Sequence, residues 1–135
     1  MAFQRDLILI VDEDQAVRDS LQFALQLEGL CVHVHRGGFG LLADPDLSHA
    51  RCVILDDRNP SMDGFALLSR LSALNLNVPA ILLTSHATPR VKARANAAGV
   101  RMVLEKPLMD NALADNIRLI LGSTPESDRR AGSIT

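Results

Sequence analysis

Residues 52–64 read CVILDDRNPSMDG: an apolar run, two adjacent carboxylates, and a loop of arginine, asparagine, proline and glycine. The run is too short for a helix and ends in polar residues, which makes it a strand. Beyond the loop, Phe65, Leu68, Leu71 and Leu74 fall on one helical face. The stretch is therefore a strand, a loop and a helix in succession, with carboxylates where the strand ends.

The same unit recurs along the chain. Apolar runs stand at 7–11 (LILIV), 31–35 (CVHVH), 52–55 (CVIL), 80–84 (AILLT) and 102–104 (MVL). Between the first two, Val17, Leu21, Ala24, Leu25 and Glu28 keep helical spacing, Asp14 stands where an N-cap belongs, and Gly29 suits the left-handed residue that closes a helix. Segment 38–44 is a weaker helix because Gly37, Gly38 and Gly40 lower its propensity. Thr88-Pro89 opens a helix that Gly99 closes, and Asp110 caps a last one striped by Leu113, Ile117, Ile120 and Leu121.

Strands alternating with helices define an α/β class, a parallel sheet covered on both faces. Right-handed crossovers place the C-terminal strand ends along one edge, where such sheets bind ligands. Asp12, Asp56 and Thr84 close their strands on that edge, and Lys106 follows the fifth. Residues 1–121 form one domain, and GSTPESDRRAGSIT at 122–135 reads as a disordered tail.

Composition narrows the function. A chain of 135 residues with 47% hydrophobic and 22% charged residues suits one soluble domain. A net charge of -2 without a basic cluster speaks against direct nucleic-acid binding. No run reaches the roughly 20 apolar residues of a membrane span, and no signal peptide precedes the first acids, so a cytoplasmic location is expected. Cys31 and Cys52 lie inside strands and read as buried, reduced thiols. His33 and His35 share a strand face, but two ligands do not make a metal site, and they read as surface residues. Asp57 reads as a solvated loop charge and Asp63 as a turn residue before Gly64.

Crowding Asp12, Glu13 and Asp56 is unfavourable, since like charges ~4 Å apart repel by about 4 kcal/mol at an effective dielectric of about 20. Lys106 offsets part of this, and oxygen-only ligands suit Mg²⁺ for the rest. An exposed carboxylate among a hydroxyl, an ammonium and a hard cation is equipped to take up a phosphoryl group as an aspartyl phosphate.

The chain resembles the receiver domains of bacterial two-component response regulators over residues 5–121. The resemblance is carried by Asp12-Glu13, ILDDRNPSMDG, LLTS at 82–85 and EKP at 105–107, in that order. Arg58 and Glu105 are most similar to FixJ-type receivers. It implies a flavodoxin-like, doubly wound (βα)5 fold with strand order 2-1-3-4-5. It further implies Asp56 as phosphoacceptor, because three residues separate it from Pro60. Glu13, Asp56 and the Arg58 carbonyl would ligate Mg²⁺, with Asp12 acting through water. Thr84 and Lys106 would contact the phosphoryl oxygens, and Lys106-Pro107 would be cis. Ser85 would leave room for the donor, and Arg58 and His86 would tune phosphate lifetime. The implied role is signalling rather than enzymatic. A sensor histidine kinase or phosphotransfer protein would donate phosphate, and a homodimer could form through helices 88–98 and 110–121.

Two positions depart from the family pattern. Asn59 replaces a usual methionine, and Val103 a usual tyrosine or phenylalanine that turns inward on phosphorylation. A subdued or atypical response across residues 88–121 is expected. Two other readings compete: a degenerate receiver that binds partners without phosphorylation, and a haloacid-dehalogenase-like phosphatase using Asp12. Against the latter, Ala16 stands where such enzymes prefer threonine or valine.

Overall fold

A computed structural model describes residues 6–108 and 112–122. The expected cap Asp110 and the expected tail from residue 123 lie outside the described residues. Five strands, β1 (Leu7–Val11), β2 (Cys31–His35), β3 (Ala50–Asp56), β4 (Ala80–Thr84) and β5 (Met102–Glu105), alternate with α1 (Gln15–Leu27), α2 (Gly38–Leu42), α3 (Gly64–Ala73), α4 (Pro89–Ala97) and α5 (Ala112–Gly122). All neighbouring strands are parallel, in the order β2-β1-β3-β4-β5. This is the doubly wound sheet that the alternation of strands and helices predicts.

The central strands bury both faces, and their two-residue period divides the core. Ile8, Ile10, Cys52, Ile54, Ile81 and Leu83 pack beneath α1 and α5, against Leu21, Leu25, Leu113, Ile117 and Ile120. Leu9, Val11, Val53, Leu55 and Leu82 face α2, α3 and α4, against Leu41, Leu67, Leu71 and Ala95. Each fully buried leucine or isoleucine stabilises the fold by about 1.5–3 kcal/mol relative to an exposed one. Burial pushes the Cys52 thiol up to about 12, so it stays protonated, and Cys31 is likewise free. No helix among the described residues is long and apolar enough to cross a membrane.

Helix ends follow local chemistry. Asp14 Oδ1 accepts from Ala16 N at 2.8 Å, and Thr88 Oγ1 from Val91 N at 3.2 Å. Gly29 and Gly99 have φ of +85° and +83°, and just beyond them Leu30 N and Val100 N reach back to Leu25 O and Ala95 O.

The α3 helix departs from the sequence reading in two ways and ends on a residue that the reading did not single out. Asp63 is its N-cap rather than a turn residue, accepting from Ala66 N at 2.8 Å. The buried stripe is Gly64, Leu67 and Leu71, while Leu74 is exposed because the helix stops at Ala73. Asn75, at φ 61°, takes the left-handed position that glycine fills in α1 and α4, and Leu76 N bonds Leu71 O at 3.0 Å.

His33 and His35 are also not plain surface residues. Asp44 is buried and takes His35 Nε2 at 2.8 Å and His33 Nδ1 at 3.0 Å on one oxygen, while its other accepts from Asp46 N at 2.8 Å. Burial alone would raise the Asp44 pKa; the Asp46 N–H and the two imidazoles outweigh it and hold it below the ordinary value.

Gly64 sets how closely α3 approaches the strand ends. A Cβ there would lie 2.5 Å from Asp56 O and 2.8 Å from Leu55 Cδ1, a clash with backbone that cannot swing aside. Gly64→Ala is expected to lower unfolding stability by about 1–3 kcal/mol, read from urea denaturation, whereas alanine at exposed Ser69 should change it by less than about 0.5 kcal/mol.

Candidate functional site

The C-terminal ends of β1, β3, β4 and β5 converge as expected. Asp12 follows β1 and is 1% exposed; Asp56 ends β3 and is 4% exposed. Because β1 and β3 are paired in register, these two carboxylates close neighbouring strands.

The Asp12 loop is braced from beneath. Arg18, one turn into α1, donates from Nη1 to the carbonyls of Asp12 and Glu13, both at 2.8 Å, while Asp14 N donates to Asp12 Oδ1 at 2.9 Å. The other oxygen, Asp12 Oδ2, has Lys106 Nζ at 2.8 Å. That contact balances charge but lacks hydrogen-bond angles, so the buried oxygen has no donor. Lys106 is fixed by its own N–H, which donates to Thr84 O at 2.8 Å, and it precedes a cis bond to Pro107.

Asp56 is a carboxylate under stress. Burial raises its pKa, the Asp12 charge raises it further, and Lys106 and the Asn59 amide oppose both. Asn59 is itself buried, with Nδ2 donating to Arg36 O at 2.8 Å and only weakly, at 3.4 Å, to Asp56 Oδ1. Its Oδ1 accepts from Ser61 N at 3.0 Å. Asn59 thus pins the loop after Asp56 to the loop after β2, a tie that methionine could not make.

Asp57 is not the solvated charge its sequence neighbourhood suggests. It is half-buried, and Thr84 Oγ1 lies 2.9 Å from its Oδ2. The Thr84 hydroxyl has one proton, and the nearer Asp57 carboxylate oxygen is a better placed acceptor than His86 O at 3.2 Å. His86 N in turn donates to Thr84 Oγ1 at 3.1 Å. The pairing spans 27 residues, so only its position at a neighbouring strand end could have suggested it. Glu105 was likewise missed as a brace: its Oε1 accepts from Ala87 N at 2.9 Å, tying the loop after β4 to β5.

The remaining expected residues surround this crest. Glu13, Arg58, Ser85 and His86 are exposed, and Val103 is half-buried against the core on the α3 and α4 side. Asp12, Asp56 and Lys106 are brought together, whereas Thr84 is turned toward Asp57. The donor set fits Mg²⁺: an oxygen of Asp12 without a donor, a carboxylate of raised pKa and an exposed glutamate, all hard oxygens for an ion that keeps several waters.

A doubly wound sheet with two buried carboxylates, a threonine and a lysine at its C-terminal edge gathers its polar groups where folds of this class bind ligands. The response regulator receiver domain family matches residues 8–118, and the chain belongs to it. It is 32% identical over 121 residues to the transcriptional regulatory protein FixJ of Azorhizobium caulinodans, covering 90% of this chain and 57% of that protein. The C4-dicarboxylate transport transcriptional regulatory protein DctR of Rhodobacter capsulatus is 37% identical over 108 residues, covering 78% and 55%. This chain thus spans a little over half the length of those relatives. Among solved structures, FixJ-N superposes with a TM-score of 0.78 at 31% identity, covering 90% of this chain and 98% of that one. A CheY-like receiver domain protein of Methanospirillum hungatei gives 0.83 at 26%, covering 92% and 99%.

The raised pKa of Asp56 has a stability consequence. Above the ordinary carboxylate value of about 3.9 the unfolded state is charged, while the folded state holds its proton to higher pH, so stability falls as pH rises between the two values. In chelator at neutral pH, Asp56→Asn is expected to melt higher than wild type, by roughly 3–6 °C for each kcal/mol of strain removed. The difference should shrink below about pH 4, and a thermal melt series across pH measures both.

Proposed function

We propose that the chain accepts a phosphoryl group on Asp56 from a sensor histidine kinase or a histidine phosphotransfer protein, within a two-component system or phosphorelay. The observation that carries this is the charge arrangement: Asp56 is buried beside Asp12, with Lys106 on Asp12 rather than on Asp56. The acceptor is thus left free to attack. One Asp56 oxygen bonds to phosphorus as the phosphorus–nitrogen bond of the donor's phosphohistidine breaks, and the imidazole leaves. Mg²⁺, held by Glu13, Asp56 and the Arg58 carbonyl with Asp12 behind water, would neutralise oxygens of the transferring group.

The chain's own groups do the rest. Lys106 shifts from Asp12 to the incoming phosphoryl oxygens, relieving a pair that lacks hydrogen-bond geometry. Ser85 leaves the approach open, and Arg58 and His86 at the rim govern water access and so phosphate lifetime. Thr84 must release Asp57 before it can donate to phosphate, so the switch begins with exchange of one anionic acceptor for another. Val103 has no ring to turn into the space Thr84 leaves. The response therefore runs through Thr84, Asp57 and the start of α4, with a homodimer through α4, β5 and α5 as the signalling form; Leu119 of α5 is exposed there. The phosphatase reading would need Asp12 as nucleophile, and Asp12 is 1% exposed and paired with Lys106.

Incubation with acetyl phosphate and Mg²⁺, followed by intact mass, tests the acceptor. One phosphoryl increment is expected on wild type and on Asp57→Asn and none on Asp56→Asn; an increment that persists in Asp56→Asn overturns the assignment. The exchange at Thr84 has its own readout. With a charged competitor replaced by a neutral one, Asp57→Asn should bind beryllium fluoride with Mg²⁺ roughly threefold to tenfold more tightly than wild type. Equal or weaker binding would remove Asp57 from the switch.

A further inference from the structure

The two histidines of β2 acquire, in the folded chain, the partners that the sequence alone did not supply. Among the described residues, His33, Asp44 and Asp46 are a group of three whose donor atoms all lie within 4.8 Å of one another. Asp12, Glu13 and Asp56 are not gathered in this way. His33 comes from the edge strand of the sheet, and the two aspartates from the segment between α2 and β3.

Four features suit this cluster to an ion. Asp44 is anchored: its side chain is 4% exposed, one oxygen is held by Asp46 N at 2.8 Å, and the other is 2.8 Å from His35 Nε2. A carboxylate oxygen has a second lone pair, and that one faces His33 Nδ1 at 3.0 Å. Ligands on a tetrahedral centre with bonds of about 2.0–2.1 Å stand roughly 3.4 Å apart, so His33 and Asp44 need open by only a few tenths of an ångström. His35 has the place of the outer partner that orients a ligating carboxylate. Its ring is accommodated because residue 40 is glycine; a Cβ there would stand 3.2 Å from His35 Nδ1. The cluster is also reachable, since the His33 side chain is 35% exposed and Asp46 lies at the surface.

We propose that His33, Asp44 and Asp46 form a second metal site, for a borderline divalent transition ion such as Zn²⁺, with His35 orienting Asp44 and water completing the coordination. An imidazole nitrogen beside carboxylates favours Zn²⁺, Ni²⁺ or Cu²⁺ over Mg²⁺, which separates this site chemically from the all-oxygen crest. Binding uses the lone pair that His33 Nδ1 exposes once the proton it donates to Asp44 has left it; in the neutral ring that proton passes to Nε2. The ion would fasten the edge strand to the α2–β3 connection. Arg36, directly after His35, is the residue whose carbonyl Asn59 holds, so the fastened segment adjoins the acceptor loop.

Titration of the protein with Zn²⁺ in excess Mg²⁺, by calorimetry and by imidazole resonances, tests the site. One tight equivalent is expected, with the His33 resonances shifting while those of His49 and His86 do not. His33→Gln and Asp46→Asn, both at accessible positions, should each weaken Zn²⁺ binding at least tenfold, and His35→Gln by about tenfold. Asp56→Asn should leave it unchanged. Unaltered affinity in both His33→Gln and Asp46→Asn, or loss of binding in Asp56→Asn, would overturn the proposal.

Discussion

One repulsion and its compensation organise the upper edge of this receiver domain. Because β1 and β3 are neighbours, ending one at Asp12 and the other in Asp56 places two carboxylates side by side out of solvent. The Asp12 charge pushes the Asp56 pKa up, beyond what burial does. Lys106, arriving from the far edge strand, is the counter-charge, and it sits 2.8 Å from Asp12. The balance exists only when β1, β3, β4 and β5 are all in register. A phosphoryl group or hard cation entering this edge meets groups held in place by the same sheet that buries the core.

Two residues that follow Asp56 in the loop pull in opposite directions. Asn59 reaches across to Arg36 beyond β2, and Asp57 reaches across to Thr84 at the end of β4. Between them the loop after Asp56 is strung from one neighbour to the other, with Gly64 allowing α3 to close over Asp56 O. Val103 fits into the same account. There is no aromatic side chain at that position, and Thr84 Oγ1 is held by Asp57 Oδ2 at 2.9 Å.

Much of the architecture was readable because it rests on local, repeating signals. Five short apolar runs, the glycines at 29 and 99, and the caps Asp14 and Thr88 each depend on residues within a few positions of one another. The strand-end carboxylates were readable for the same reason, since topology alone brings them together. What was hidden depends on distant side chains. Asp57 and Thr84 are 27 residues apart, and the histidines of β2 meet an aspartate 9 and 11 residues later. Asn75 after α3 was hidden for another reason: a non-glycine residue tolerated in a left-handed position leaves no strong mark on the sequence.

The strand order has a consequence for how the crest comes into being during synthesis. Chains emerge from the N-terminus, and β1 pairs with both β2 and β3, so Asp12 and Asp56 can become neighbours once β3 is available. Lys106 lies beyond β4 and β5, which are added at the open side of the sheet. A nascent chain that ends after β4 would therefore hold the paired acids and Thr84 without their cation. The crest of such an intermediate would stay hydrated and open, and docking of the last strand would both cap the sheet and offset part of its charge.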